Sequence, residues 1–147
     1  MRPALVALIV TAILLFVSEV PAQQADAAKR DASVYAEIAK APEKARARRN
    51  PLDRDPDAAV AGKILFAQHC AECHGHTAQG GKKAPSLRVP EVLDATPGAI
   101  FWVLTNGVVR RGMPVWSKLP EPQRWQLVSY IKSLSSASPD AARVTPQ

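Results

Sequence analysis

Cysteine, methionine and histidine are scarce, at two, two and three residues among 147. Two cysteines cannot build the many-bridged framework of a small secreted scaffold. Aromatic residues make up only 5%, thin for a small core, so a staple or a cofactor is expected to complete the interior. Seven glycines stand against thirteen prolines, which favours short helices with sharp stops over long regular elements. No segment alternates as a strand and no repeat is visible. What is present, 47% hydrophobic and 22% charged residues, is enough for one packed domain with sequence to spare, and it excludes wholesale disorder.

The first residues read as an export signal. Arg2 supplies a positive start, Ala4 to Val17 is a nearly unbroken apolar run, and Val20-Pro21-Ala22 offers small side chains for cleavage. Cleavage after Ala22 is expected, so that residues 1–22 are removed. The alternative is an uncleaved anchor on the outer face of the inner membrane, although the run is shorter than the roughly 20 residues that span a bilayer comfortably. Both readings place the rest of the chain in a periplasmic or otherwise exported, oxidising compartment. The bland expectation there is a disulfide. Cys70 and Cys73 are only three positions apart, however, and a bridge closing so small a loop adds little chain-entropy stabilisation.

Residues 23–55 are rich in Ala, Lys and Arg and read as a basic, flexible tether with little core of its own. One short helix is expected around Ser33 to Lys40, where Val34 and Ile38 share a face, with Pro42 as its stop. The run Lys44, Arg46, Arg48 and Arg49 reads as a solvated segment. The folded domain is expected over 56–135. Asp55 and Pro56 open a helix whose inner stripe is Val60, Ile64 and Ala67, with Phe66 beside it. Thr96 and Pro97 open a second, through Ile100, Phe101, Val103 and Leu104, which Asn106-Gly107 ends. A third starts near Pro120 or Glu121, with Trp125, Val128, Ile131 and Leu134 inward. Residues 136–147 read as a disordered Ser/Ala/Pro tail.

Cys70-Ala71-Glu72-Cys73-His74 is the Cys-x-x-Cys-His attachment pattern for c-type haem. Two cysteines one helical turn apart capture the two vinyl groups of a single porphyrin, and the histidine directly after them is held with its imidazole toward the iron. A zinc reading would use Cys70, Cys73 and two of His69, His74 and His76, but those residues are bunched without a second pair at a distance. A thioredoxin-like redox pair would need a βαβ pattern, which is missing.

An iron held by His74 needs a sixth ligand or an open site. Met113 is the remaining thioether once Met1 leaves with the signal. It sits in a loop between Gly112, which lets backbone approach closely, and Pro114, which restricts the turn. The plain alternative is a core methionine filling a gap. His69 and His76 are too near His74 in sequence to reach the opposite face easily. Met/His ligation raises the reduction potential and saturates the iron, which suits electron transfer.

These residues resemble the class I c-type cytochromes over about Asp57 to Leu134. The matching segments are Gly62-Lys63-Ile64-Leu65-Phe66, Ala84-Pro85-Ser86-Leu87, Leu104-Thr105-Asn106-Gly107 and Gly112-Met113-Pro114-Val115-Trp116. The resemblance implies an all-α fold class, a small cytochrome c fold with about three main helices and loops round one covalent haem c. It also implies that Gly62 and Phe66 meet the last helix near Tyr130, and that the Pro85 carbonyl accepts the His74 Nδ1–H. By the same resemblance Trp116 packs near the haem edge or reaches a propionate, and Arg88 is a propionate partner. For these two the bland alternatives are core packing and a solvated charge.

The formal net charge is +6, and loss of Arg2 and Glu19 with residues 1–22 leaves it unchanged. Residues 56–135 hold nine basic and five acidic residues. The expected partners are therefore redox proteins with an acidic docking surface, a dehydrogenase or a terminal oxidase, met through Lys82, Lys83, Arg110, Arg111 and Lys118. Export and sparse aromatics disfavour nucleic acid. Membrane contact through Lys44 to Arg49, or through an uncleaved signal, is a further reading. The rival class is a gas-binding or peroxidatic haem enzyme with Met113 displaced, but no distal acid–base residue stands beside Met113 in sequence.

Overall fold

In the computed structural model, residues 35–135 are described. The expected signal, most of the first half of the expected tether, and the 136–147 tail lie outside the described residues. Helical structure covers residues 35–39, then α1 (Glu43–Arg46), α2 (Ala58–His69), α3 (Ala71–His74), α4 (Pro90–Leu93), α5 (Pro97–Asn106) and α6 (Glu121–Ser133), with a 3₁₀ turn at Val109–Arg111 between the last two. Among the described residues there is no strand, only an isolated antiparallel bridge between Val108 and Met113. The all-α expectation holds, with α2, α5 and α6 as the main helices.

Local chemistry sets the helix ends. Thr96 Oγ1 accepts the Ala99 N–H at 3.3 Å, Pro97 occupies the first turn where no donor is needed, and Gly107 at φ +66° ends α5. Pro120 precedes α6, and its expected inner residues Trp125, Val128, Ile131 and Leu134 are all buried, joined by Leu127 and Tyr130. Helix α2 begins two residues after Pro56. The Asp55 carboxylate accepts the Asp57 N–H at 2.9 Å and so closes a turn ahead of the helix.

The expected inner stripe of α2 is incorrect. Val60 is 61% and Ile64 57% exposed, and Ala67 also faces solvent, whereas Ala58, Gly62 and Phe66 are buried. Size decides this face, not hydrophobicity. A Cβ placed on Gly62 would lie 1.9 Å from the Gln126 carbonyl oxygen and 2.9 Å from Tyr130 Cβ, so α6 passes directly over the glycine. One turn later the Phe66 and Tyr130 rings meet at 5.1 Å, as the cytochrome resemblance implied. Phe66, Trp125, Leu127 and Val128 are the largest fully buried side chains, each worth about 1.5–3 kcal/mol for complete burial of an aliphatic or aromatic group of this size. Phe101 stacks on Trp125 at 4.0 Å and ties α5 to α6.

The tether reading also needs correction for residues 35–55, because this segment packs on the domain. Tyr35, Ile38 and Leu52 lie against the core, and Ala41 is buried. Buried Asn50 donates to the Trp125 carbonyl at 3.3 Å and to Ser129 Oγ at 2.8 Å. Arg48, expected to be solvated, pairs with Glu121 at 2.6 Å and lies 4.6 Å over the Phe101 ring. Arg48 and Asn50 find their partners on α6, a pattern that carries no hydrophobic period and is invisible to a periodicity search.

Candidate functional site

Helix α2 carries the chain to Cys70, whose N–H closes the helix on the Phe66 carbonyl at 2.9 Å. A new turn starts there: the Cys73 and His74 N–H groups both donate to the Cys70 carbonyl, at 3.1 and 2.9 Å. This turn sets two unbridged thiols one helical turn apart with His74 directly behind them. Cys70 is partly buried and Cys73 exposed. Burial, with a smaller contribution from Cys73, pushes the Cys70 thiol up to about 11. The thioredoxin-like alternative fails on the fold, since the described residues hold no strand to build the βαβ unit it needs. Among the described residues no three His, Cys, Asp or Glu side chains cluster to hold a metal, which removes the ligand set of the zinc alternative.

His74 Nδ1 lies 2.9 Å from the Pro85 carbonyl oxygen. A carbonyl can only accept, so Nδ1 carries the proton and Nε2 keeps the lone pair. Burial depresses the His74 pKa, and the Pro85 hydrogen bond opposes this in part. The ring is a neutral, oriented donor. The loop holding Pro85 is itself pinned: Gly80 N–H donates to the His74 carbonyl at 2.7 Å, and Leu87 N–H to that of fully buried Ala78 at 2.9 Å. Arg88 Nε donates to the Thr77 carbonyl at 2.6 Å, spending one guanidinium N–H within this loop.

Met113 is half-buried against the core, on backbone locked in register with Val108: each N–H of the pair donates to the other's carbonyl, at 2.9 and 3.2 Å. The close approach that permits this comes from Gly107, where a Cβ would stand 2.6 Å from the Pro114 oxygen. Gly112 has open space around it and serves instead by its left-handed φ of +86°. Trp116 donates its backbone N–H to the Leu104 carbonyl at 3.0 Å, and its ring meets that of His69 at 5.3 Å. His69 immediately precedes Cys70, so this contact lays the Met113 loop beside the cysteine turn. Tyr35, Asn50 and the close approach of Gly107 to Pro114 were missed at the level of sequence. Of these, only Asn106-Gly107 left a readable signal, as a helix stop.

A family described as cytochrome c oxidase, cbb3-type, subunit III matches residues 57–131. The chain belongs to this family of c-type cytochromes. It is 34% identical over 108 residues to the cbb3-type cytochrome c oxidase subunit CcoP of Rubrivivax gelatinosus, an alignment that covers 72% of this chain and 34% of that protein. The chain therefore spans about a third of the length of the curated relative it matches. Membership makes this a cytochrome c domain that carries covalent haem c and transfers electrons. The residues fit that group: free thiols on one turn, a neutral histidine with its tautomer set, and a thioether on locked backbone.

Proposed function

We propose that Cys70 and Cys73 bind the porphyrin, that His74 and Met113 ligate its iron, and that the protein passes single electrons without breaking a substrate bond. The haem supplies a one-electron couple. The chain supplies position and environment. The Pro85 carbonyl holds the His74 tautomer and strengthens the basicity of the ring. The Val108 bridge restrains the Met113 backbone, so little backbone entropy remains to be lost when its sulfur is engaged. Exposed Cys73 sits where a partner can come close to the porphyrin edge. The His74 to Pro85 hydrogen bond carries this reading best, because it is the orienting contact a ligating histidine requires.

On this reading the protein is exported and stands between a dehydrogenase or other donor and a respiratory acceptor. Similarity to an oxidase subunit supports a terminal oxidase as the acceptor or host assembly. Lys82, Lys83, Arg110, Arg111 and Lys118 are exposed and face an acidic partner surface. Lys83 shares its charge with Glu72 at 2.8 Å, an exposed pair worth little in stability. No helix among the described residues is long and apolar enough to cross a membrane. Anchoring would rest on residues 1–22 or on the basic residues near Lys44, from which Arg48 is withdrawn by Glu121.

The deciding test is an optical spectrum of protein expressed with haem-attachment machinery, oxidised and then reduced. Sharp α and β bands on reduction, with a weak far-red Met–iron band when oxidised, are expected. Haem bands without the far-red feature would remove Met113 from the iron, and no haem would end the proposal.

A further inference from the structure

The segment ahead of the family-matched region reaches the loops that carry the proposed iron ligands. The family match begins at residue 57, yet Tyr35 donates its hydroxyl to the Ser86 carbonyl at 2.9 Å, across 51 positions of sequence. Ser86 directly follows Pro85, whose carbonyl holds His74 Nδ1. The Ser86 hydroxyl in turn accepts the Arg88 N–H at 3.1 Å, and Leu87 N–H is held by Ala78. The Ser86–Leu87 peptide, one beyond the Pro85 carbonyl, is thus gripped from outside by Tyr35 and from within by its own loop.

The same strap extends toward the other ligand. Two residues after Tyr35, the Glu37 carboxyl is held below its usual range, first by the Lys40 hydrogen bond and also by the fields of Arg110 and Arg111. Those arginines belong to the turn between Val108 and Met113. Ile38 and Ala41 fasten the strap apolarly, Ala41 being fully covered.

We infer that Tyr35 is a positioning residue for the iron: by holding Ser86, it keeps the Pro85 carbonyl on His74 and so sets how strongly the imidazole donates. A hydrogen bond to Nδ1–H makes the ring more basic toward a metal, and stronger donation stabilises the oxidised iron. Releasing Ser86 loosens the carbonyl, weakens donation and favours the reduced state. The inference rests on the His74 ligation proposed above and goes beyond it by assigning part of the tuning to a residue ahead of the stretch that the family match covers.

The test uses the full-length, haem-loaded protein carrying Tyr35→Phe, which keeps the ring and removes the hydroxyl. Two quantities are read: the midpoint potential by spectroelectrochemical titration, and amide hydrogen exchange at Leu87. The potential should move to more positive values. Exchange at Leu87 should quicken by roughly two- to tenfold, the factor that loss of one net hydrogen bond implies. Ile38→Ala serves as the control, because it weakens the strap's packing without touching Ser86; it should lower stability and leave the potential in place. A Tyr35→Phe protein with unchanged potential would overturn the inference while leaving haem ligation standing. Equal shifts in both variants would also overturn it, since the strap would then act by bulk packing. An absence of haem bands in the wild type would overturn the ligation and this inference together.

Discussion

Met113 and His74 show how differently the two proposed ligands of one iron are prepared. His74 follows the cysteines in sequence and is oriented by one carbonyl 2.9 Å away. Met113 depends on an isolated bridge, two glycines of different function and a ring contact between Trp116 and His69. Replacing Met113 with Ala should abolish the far-red band, lower the midpoint potential and open the iron to carbon monoxide, since a thioether ligand raises the potential and fills the sixth position. A variant that keeps the band would show that another residue is the ligand. Asn50 stands at the opposite extreme of legibility. Its amide satisfies the Trp125 carbonyl and Ser129 hydroxyl inside the fold, but a single buried Asn in a charged, Ala-rich stretch looks like any loop asparagine until α6 is laid beside it.

Helices α5 and α6 were readable because cap and stripe agree: Thr96-Pro97 at one end, Gly107 at the other, and Trp125, Val128, Ile131 and Leu134 recurring on one face. Helix α2 was misread because two apolar sets compete on it and the more hydrophobic one lost. The crossing with α6 demands a residue without Cβ, so the face holding Gly62 turned inward and carried Val60 and Ile64 out. Gly62→Ala should cost about 1–3 kcal/mol despite the better helix propensity of alanine, because the obstructing atom is the Gln126 backbone carbonyl, which cannot move aside cheaply. Ile64→Ser on the outer face of the same helix should stay within about 0.5 kcal/mol of the wild type. Chemical unfolding of the two variants compares the faces directly, and the reverse order would restore the stripe expected from periodicity.

For the molecule as a whole, charge acts at two ranges. Glu121 binds α6 to the segment before the domain: its carboxyl lies below the ordinary value, first through the Trp125 indole N–H and next through Arg48. A depressed carboxylate contributes stability that is present above its unfolded pKa and is lost as pH falls through the lower folded value. Glu121→Gln should therefore lower the melting temperature near neutrality, with the difference from wild type shrinking as pH falls below about 4.5, so that the acid limb is flatter. At longer range, the four-charge surplus of residues 56–135 should steer an acidic redox partner, so electron-transfer rates are expected to fall as ionic strength rises. Stopped-flow rates that stay flat with salt would remove the acidic docking surface from the proposal.

By itself the sequence determined the chemistry that is local in the chain. Cys70, Cys73 and His74 share one helical turn whatever surrounds them, and Thr96-Pro97 and Gly107 bound a helix through contacts within a few residues. Tertiary structure alone decided what depends on distant neighbours. It turned Gly62 toward α6, laid Trp116 of the Met113 loop against His69 at the end of α2, and folded residues 35–55 onto the domain through Tyr35, Arg48 and Asn50. Each of those outcomes is a choice between faces or partners that local propensity leaves nearly equal, and only close packing of the assembled chain separates them.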